Sequence, residues 1–201
     1  MMLDIQHLFF EYPDQPILHD VHISIHPGTL MHIPGHNGAG NTTLLKLLTG
    51  LLTPTCGQIV YNNHNIVDDL SHYQQHLCYV GHKPGIHPHL TVEEHCTFEA
   101  QQIPESPPVD TILHTAHLYT LRHTRNRDLS FGQRRRVALA RLLMRRARIW
   151  LLDEPWIGLD PQSIAQLMQW MHQHLNQDGL IVLSSHQALP PSLIHYRTYH
   201  L

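Results

Sequence analysis

The chain has 201 residues, 42% apolar and 14% charged, with three cysteines and a formal net charge of −3, which suits one domain with a sizeable core and excludes a disordered chain. No basic n-region followed by an apolar run opens it, and its most apolar stretch, Leu44 to Leu52, is broken by Lys46 and Gly50 and is too short to cross a bilayer. Any membrane role is therefore expected to come through a partner, and three thiols without metal-type spacing point to a reduced compartment.

In chain order, Leu3 to Phe10 reads as a strand and Tyr12 to Pro16 as a turn. Val21, Ile23 and Ile25 alternate with His22, Ser24 and His26, the pattern of a half-buried strand. Pro27-Gly28 turns the chain into a short strand, Leu30 to Ile33, then a glycine-rich loop, Gly35 to Gly40, then a helix from Thr42 to Leu48 with Gly50 as its C′ residue. Strands follow at Ile59 to Tyr61 and Leu77 to Val80. Helices are predicted over Thr91–Gln102, Val109–Thr120 and Gly132–Ala147, with Pro104 to Pro108 as a break. Ile149 to Leu152 has the unbroken apolar character of a strand buried on both faces, Ile164 to Asn176 is a helix, and Leu180 to Leu183 is a last buried strand. Alternating strands and helices predict an α/β fold with a mainly parallel sheet. Residues 86–147 form a helical insert within a frame made of 1–85 and 148–201.

Charge is uneven. Residues 1–121 hold two basic side chains against eleven acidic ones, and residues 122–201 hold eleven against five. Arg134, Arg135, Arg136, Arg141, Arg145 and Arg146 share one helical stretch. Such a cluster can bind nucleic acid, but no aromatic residues interleave with it, and a solvated helix face is the preferred reading. The 21 histidines are scattered without a convincing metal set and are expected mostly at the surface.

The segment Gly35-His36-Asn37-Gly38-Ala39-Gly40-Asn41-Thr42 matches G-x-x-x-x-G-K-[ST] at both glycines and at the threonine. Glycines let successive N–H groups face inward as an anion nest, and the helix that follows adds free N–H groups and partial positive charge. Thr42 supplies a hydroxyl for Mg²⁺. Position 41, where the pattern has lysine, is asparagine, so weak ATP binding and slow or absent hydrolysis are expected. A chance glycine loop is the alternative for this segment alone.

Leu129-Ser130-Phe131-Gly132-Gln133 closely resembles the signature pentapeptide of ATP-binding cassette ATPases, with Phe131 in place of a glycine; without the phosphate loop it would read as an ordinary N-cap. Arg148 to Glu154 resembles the strand that carries the Mg²⁺-binding aspartate and the general-base glutamate of this superfamily, here Asp153 and Glu154. The two neighbouring carboxylates look costly without a cation between them. Gly158-Leu159-Asp160 matches the loop at the seam between two cassettes, and Ser184-Ser185-His186 matches the switch histidine. Tyr12 matches the adenine-stacking aromatic, Thr43 completes the nucleotide-binding run, and His82 stands where most cassettes have the glutamine of the Q-loop.

The resemblance covers nearly the whole chain. The stretches Gly81 to Ile86, Leu129 to Arg141 and Ser185 to Gln187 look like the haem exporter ATP-binding subunits of bacterial cytochrome c maturation. That resemblance implies a P-loop nucleotide-binding domain with an antiparallel β subdomain and a helical subdomain. It implies ATP and Mg²⁺ as ligands, and a dimer in which Ser130, Phe131, Gly132 and Gln133 of one copy face the partner's nucleotide. It also implies a membrane-embedded permease of the cytochrome c maturation complex as partner, and a peripheral place on the cytoplasmic face of the inner membrane, with membrane contact only through the permease and no nucleic acid. Another transporter's cassette, or a nucleotide-binding subunit disabled by Asn41, are the alternatives.

Overall fold

In a computed structural model of the chain, residues 2–13, 15–36, 38–190, 193 and 196–201 are described. The chain opens with an antiparallel hairpin, β1 (Leu3–Tyr12) and β2 (Gln15–Ile25), whose pairing runs from Leu3 opposite Ile25 to Tyr12 opposite Gln15. The turn expected over Tyr12 to Pro16 is therefore tighter than predicted. β4 (Cys56–Tyr61) pairs with β1 and the short β5 (His64–Asn65) with β4, giving an antiparallel sheet in the order β2-β1-β4-β5.

β3 (Leu30–Pro34), β6 (Leu77–Val80), β7 (Ile149–Asp153), β8 (Leu180–Ser185) and β9 (Arg197–Thr198) form a second sheet, in the order β6-β7-β8-β3-β9, all of whose pairs are parallel. Its strands read as apolar runs because both faces are covered. Met31, Ile33, Ile149, Leu151, Leu180 and Val182 join the antiparallel sheet and α1 (Asn41–Leu48) in one cluster. Leu30, Trp150, Leu152, Ile181 and Leu183 face the other way, into a cluster with α5 (Phe131–Met144) and α6 (Pro161–Asn176). Each fully buried Ile or Leu contributes about 1.5–3 kcal/mol, so this two-sided burial fixes the frame.

Within the first frame segment lies α2 (Leu70–Gln75), and between the frame segments lie α3 (Val92–Gln101) and α4 (Val109–Thr115). Thr91 and Glu94 form a reciprocal capping box at the start of α3. α2 is absent from the sequence reading, because it buries only Tyr73 and so has no apolar stripe to detect. α4 stops at Thr115 rather than Thr120, since His117 takes a left-handed backbone (φ 53°) that ends the helix. α5 likewise ends at Met144, with Arg145 extended, and α6 begins earlier than expected, at Pro161 behind the Asp160 cap. Gly50 (φ 74°) fills the C′ position after α1.

The histidines are not all at the surface: His32, His95 and His174 are buried. His174 stacks on Trp150 with ring centroids 4.0 Å apart, and its Nε2 lies 3.3 Å from the Leu180 carbonyl. Burial holds this imidazole down from its ordinary 6.5 to about 4, with hydrogen bonds to the Leu180 and Arg148 carbonyls opposing the shift in part. The unfolded chain therefore binds the proton first, and stability is lost as pH falls from 6.5 towards 4, by about 3 kcal/mol in total from this residue. Urea unfolding at pH 7.5 and pH 4.5 checks this: His174→Phe, which keeps a stacked ring and removes the titration, is expected to lose less stability in acid than the parent by that margin.

Candidate functional site

The site is built at the carboxyl ends of β3, β7 and β8, where open parallel sheets place their ligands. From β3 the chain passes through Gly35 and His36 into Gly38, Ala39 and Gly40, and then into α1. Asn37, part of the same predicted set, lies outside the described residues. Gly38 (φ 92°) and Gly40 (φ 97°) take left-handed backbones, and Gly40 caps α1 with no side-chain hydrogen bond, so the first-turn N–H groups are left without a side-chain acceptor. A Cβ on Gly40 would press to 2.9 Å from Leu18 Cδ2, which shows how closely β2 lies over the loop. Thr43 is buried behind it.

Asn41 does not reach outward. Its Nδ2 donates to the Ile33 carbonyl at 3.1 Å, and its Oδ1 is buried with no hydrogen-bond partner. An amide turned back onto β3 puts an unsatisfied acceptor under a loop that would carry phosphates, the wrong sign of partial charge for that ligand.

Thr42 Oγ1 donates to Asp153 Oδ2 at 2.8 Å, and Ser184 Oγ donates to Asp153 Oδ1 at 2.6 Å. Asp153 is only 1% exposed, and both its oxygens are met by hydroxyls. The oxygen pair from Thr42 and Asp153 is a donor set that suits a hard cation. Glu154 follows with a left-handed backbone (φ 51°), a costly conformation for a glutamate. That turn sends its carboxylate elsewhere: Glu154 Oε1 accepts from the His186 amide and lies 2.8 Å from His186 Nδ1. The two neighbouring carboxylates thus have separate partners, and no cation is needed to hold them apart.

Arg135 corrects the reading of the arginine run as a solvated face. It is 1% exposed, and its guanidinium donates to the carbonyls of Asp153 (2.6 Å), Glu154 (2.9 Å), Pro155 (3.4 Å) and Gly81 (2.6 Å), with His82 O at 3.5 Å. Burial lowers its pKa to about 10, against the pull of the Asp153 and Glu154 charges. One side chain of α5 therefore supports both the strained turn at Glu154 and the end of β6. The charge run in the sequence marked Arg135 only as one arginine among several. Arg135→Met is expected to cost about 3 kcal/mol, because several buried carbonyls lose their donor together. Chemical denaturation measures it, and a loss under about 1 kcal/mol would mean the guanidinium is not what holds this turn.

Ser130 caps α5 by accepting from the Gln133 amide, while Gln133 Oε1 accepts from the Ser130 amide. A Cβ on Gly132 would overlap the Gly158 carbonyl, and one on Gly158 would overlap the half-exposed Phe131 ring, so Gly132 lies directly on the Gly158 backbone and Gly158 lies under the Phe131 ring. Asp160 accepts from the Ser163 amide at 2.7 Å, which lowers its pKa, and caps α6. Ser130, Gly132, Gln133, Gly158 and Asp160 line one cleft of about 220 Å³, to which no described residue of Gly35–Thr43 contributes. Tyr12 is exposed at the end of β1, edge-on to Phe10 at 5.0 Å. His82 is exposed in the segment after β6. Among the described residues no helix is long and apolar enough to cross a membrane.

The sequence family described as ABC transporter matches residues 18–156. The cytochrome c biogenesis ATP-binding export protein CcmA of Legionella pneumophila (strain Lens) is 43% identical over 203 residues, covering 100% of both chains. The protein of that name from Escherichia coli (strain K12) is 36% identical over 188 residues, which span 94% of this chain and 90% of the other. Among solved structures, an ATP binding subunit of an ABC transporter superposes with a TM-score of 0.83 at 27% identity, over 92% of this chain and 80% of that one.

Proposed function

The chain belongs to the ABC transporter family, among the cytochrome c biogenesis ATP-binding export proteins, and from that membership we propose that it is the motor subunit of a transporter in haem delivery for cytochrome c maturation. The observation that carries this reading is the convergence of Thr42, Asp153 and Ser184 with the Glu154–His186 pair at the ends of β3, β7 and β8, beside the glycine loop.

In this reading the N–H groups of Gly35–Thr43 and the start of α1 bind the phosphates of ATP, and Tyr12 offers its exposed ring to adenine. Thr42 and Asp153 would hold Mg²⁺, which when bound offsets the charge of the phosphates. Glu154 accepts the proton of the attacking water, and His186 orients that carboxylate through its amide and Nδ1. Nucleotide on the loop has no signature residue from its own chain, since the cleft holding Ser130, Phe131's neighbour Gly132, Gln133 and Asp160 is separate. A second copy supplies it, closing a sandwich of two cassettes.

Residues 86–147 act as the helical subdomain and pass the motion on through His82 and the Q-loop segment. A groove of about 270 Å³ between β6 and α3, lined by Tyr79, Phe98, Gln102 and Ile103 with Phe98 exposed, suits a segment of a membrane-embedded permease. The chain would sit on the cytoplasmic face of a bacterial inner membrane and meet the membrane only through that permease. Nucleic acid is not a partner in this reading, because two of the α5 arginines are already engaged within the chain: Arg135 is buried on backbone carbonyls and Arg141 pairs with Glu99 at 2.7 Å. The turned-back amide of Asn41 favours a second reading, in which the subunit binds nucleotide with little turnover.

Affinity purification of the tagged chain from detergent-solubilised bacterial membranes tests the partner. Recovery of the cytochrome c maturation permease supports the reading, and recovery of an unrelated permease in its place overturns it.

A further inference from the structure

Outside the residues of the nucleotide site, the antiparallel sheet turns two imidazoles and a carboxylate onto one point. His7 Nδ1 lies 3.0 Å and His22 Nε2 lies 2.8 Å from the same oxygen, Asp20 Oδ1. The two rings stand edge to face, with centroids 4.0 Å apart. All three ligand-type atoms fall within 4.8 Å of one another, and this is the one such cluster among the described residues. The backbone is shaped for it. The β1–β2 register shifts between Ile5 and Leu8, where His7 (φ 47°) faces His22, and shifts again between Leu8 and Phe10, where Asp20 (φ 52°) lies on β2. Gly57 on β4 leaves room for the bulge, because a Cβ there would overlap the His7 carbonyl.

We propose that His7, Asp20 and His22 bind one divalent late first-row transition-metal ion, with Zn²⁺ as its representative, and that the ion staples β1 to β2. Two nitrogens and one carboxylate oxygen select such an ion over Mg²⁺ or Ca²⁺, which take oxygen sets. Tetrahedral ligands about 2.0–2.1 Å from Zn²⁺ stand about 3.3 Å apart, so each imidazole nitrogen, now 3.0 and 2.8 Å from Asp20 Oδ1, needs to draw back from that oxygen by only about half an ångström. Water completes the coordination, as the ligands are 75%, 46% and 45% exposed. A metal on His22 Nε2 places that ring's proton on Nδ1, where the His7 amide lies at 3.4 Å, a contact weak enough to give up at little cost. The staple would act close to the phosphate loop, because Asp20 is two residues from Leu18, which lies against Gly40.

The test titrates ZnCl₂ into the full chain in excess Mg²⁺ by calorimetry, with Co²⁺ as a visible-absorption probe of the same site. The parent is expected to bind one more equivalent than His7→Ala/His22→Ala, at an affinity that variant loses by about 100-fold or more, since losing even an outer-shell partner costs about 10–100-fold. Asp20→Asn is expected to weaken it as well, and Zn²⁺ is expected to raise the Tm of the parent but not of the double variant. The exposed side chains make these substitutions compatible with folding, which circular dichroism verifies. His72→Ala/His76→Ala, which removes a pair of rings 4.9 Å apart elsewhere, serves as the control for unspecific binding. Equal stoichiometry and affinity in parent and cluster variant, or an equal loss in the control, overturns the proposal. The nucleotide reading does not enter this experiment.

Discussion

Asn41→Lys is expected to raise ATP hydrolysis by this chain about 10²- to 10³-fold, on the scale of a preorganised donor in a transition state. The parent residue fails in two respects. Its amide is neutral, and the structure spends that amide on the Ile33 carbonyl, leaving a buried Oδ1 beneath the loop. A lysine ammonium reaches further and adds a charge-assisted hydrogen bond worth about 1.5–3 kcal/mol in binding. The gain in turnover is larger, because phosphoryl transfer is accelerated by positioning and electrostatics more than by covalent chemistry. The fold should tolerate the change at a cost of about 1 kcal/mol for the lost bond to Ile33. Steady-state phosphate release and fluorescent-nucleotide binding, run on both chains, decide the matter. Equal activity would show that position 41 does not limit this site. Inactivity of both, with nucleotide still bound, would favour the binding-subunit reading.

In the lysine-restored chain, Glu154→Gln is expected to lower turnover by about 10²- to 10⁴-fold, the usual worth of a general base, and to leave an ATP-bound dimer. The substitution is close to isosteric. Glutamine keeps an oxygen for the His186 amide, at 2.8 Å in the parent, but cannot take a proton from water. The left-handed turn at Glu154 should persist, because it is held by the Glu154 amide on Ser184 and by Arg135 on the carbonyls of Asp153 and Glu154. Nucleotide binding is thus separated from its consumption, and the sandwich accumulates. Light scattering with ATP and Mg²⁺ should then report twice the mass of the chain. A monomer under saturating nucleotide would count against the two-copy site, and turnover near the parental rate would remove Glu154 from the role of base.

Much of this site was legible in the sequence because its parts are local. The glycine spacing after Ile33 dictates a loop and a helix start whatever surrounds them, and Ser130 with Gln133 three residues on writes a capping box. An apolar run ending in Asp153-Glu154 places those carboxylates at a strand's carboxyl end. What could not be read were features decided by distant segments. Nothing in Arg134-Arg135-Arg136 singles out the middle guanidinium, which is buried where the carbonyls of Gly81, just past β6, and Asp153, at the end of β7, turn towards it.

Sequence alone therefore determined the α/β class, most of the strands along the chain, though not the two-residue β5 and β9, and the glycine loop that leads into α1, since each follows from hydrophobic periodicity and short-range backbone geometry. The tertiary structure decided which neighbours those residues acquire: Asn41 turned to Ile33, Glu154 to His186, Arg135 to the carbonyls at and just beyond the ends of β6 and β7, and His7 to Asp20 beside a bulge. Those partners depend on strand order and register, which are set by how the two sheets and the helices around them bury their apolar faces together, and burial is a property of the whole chain rather than of any window within it.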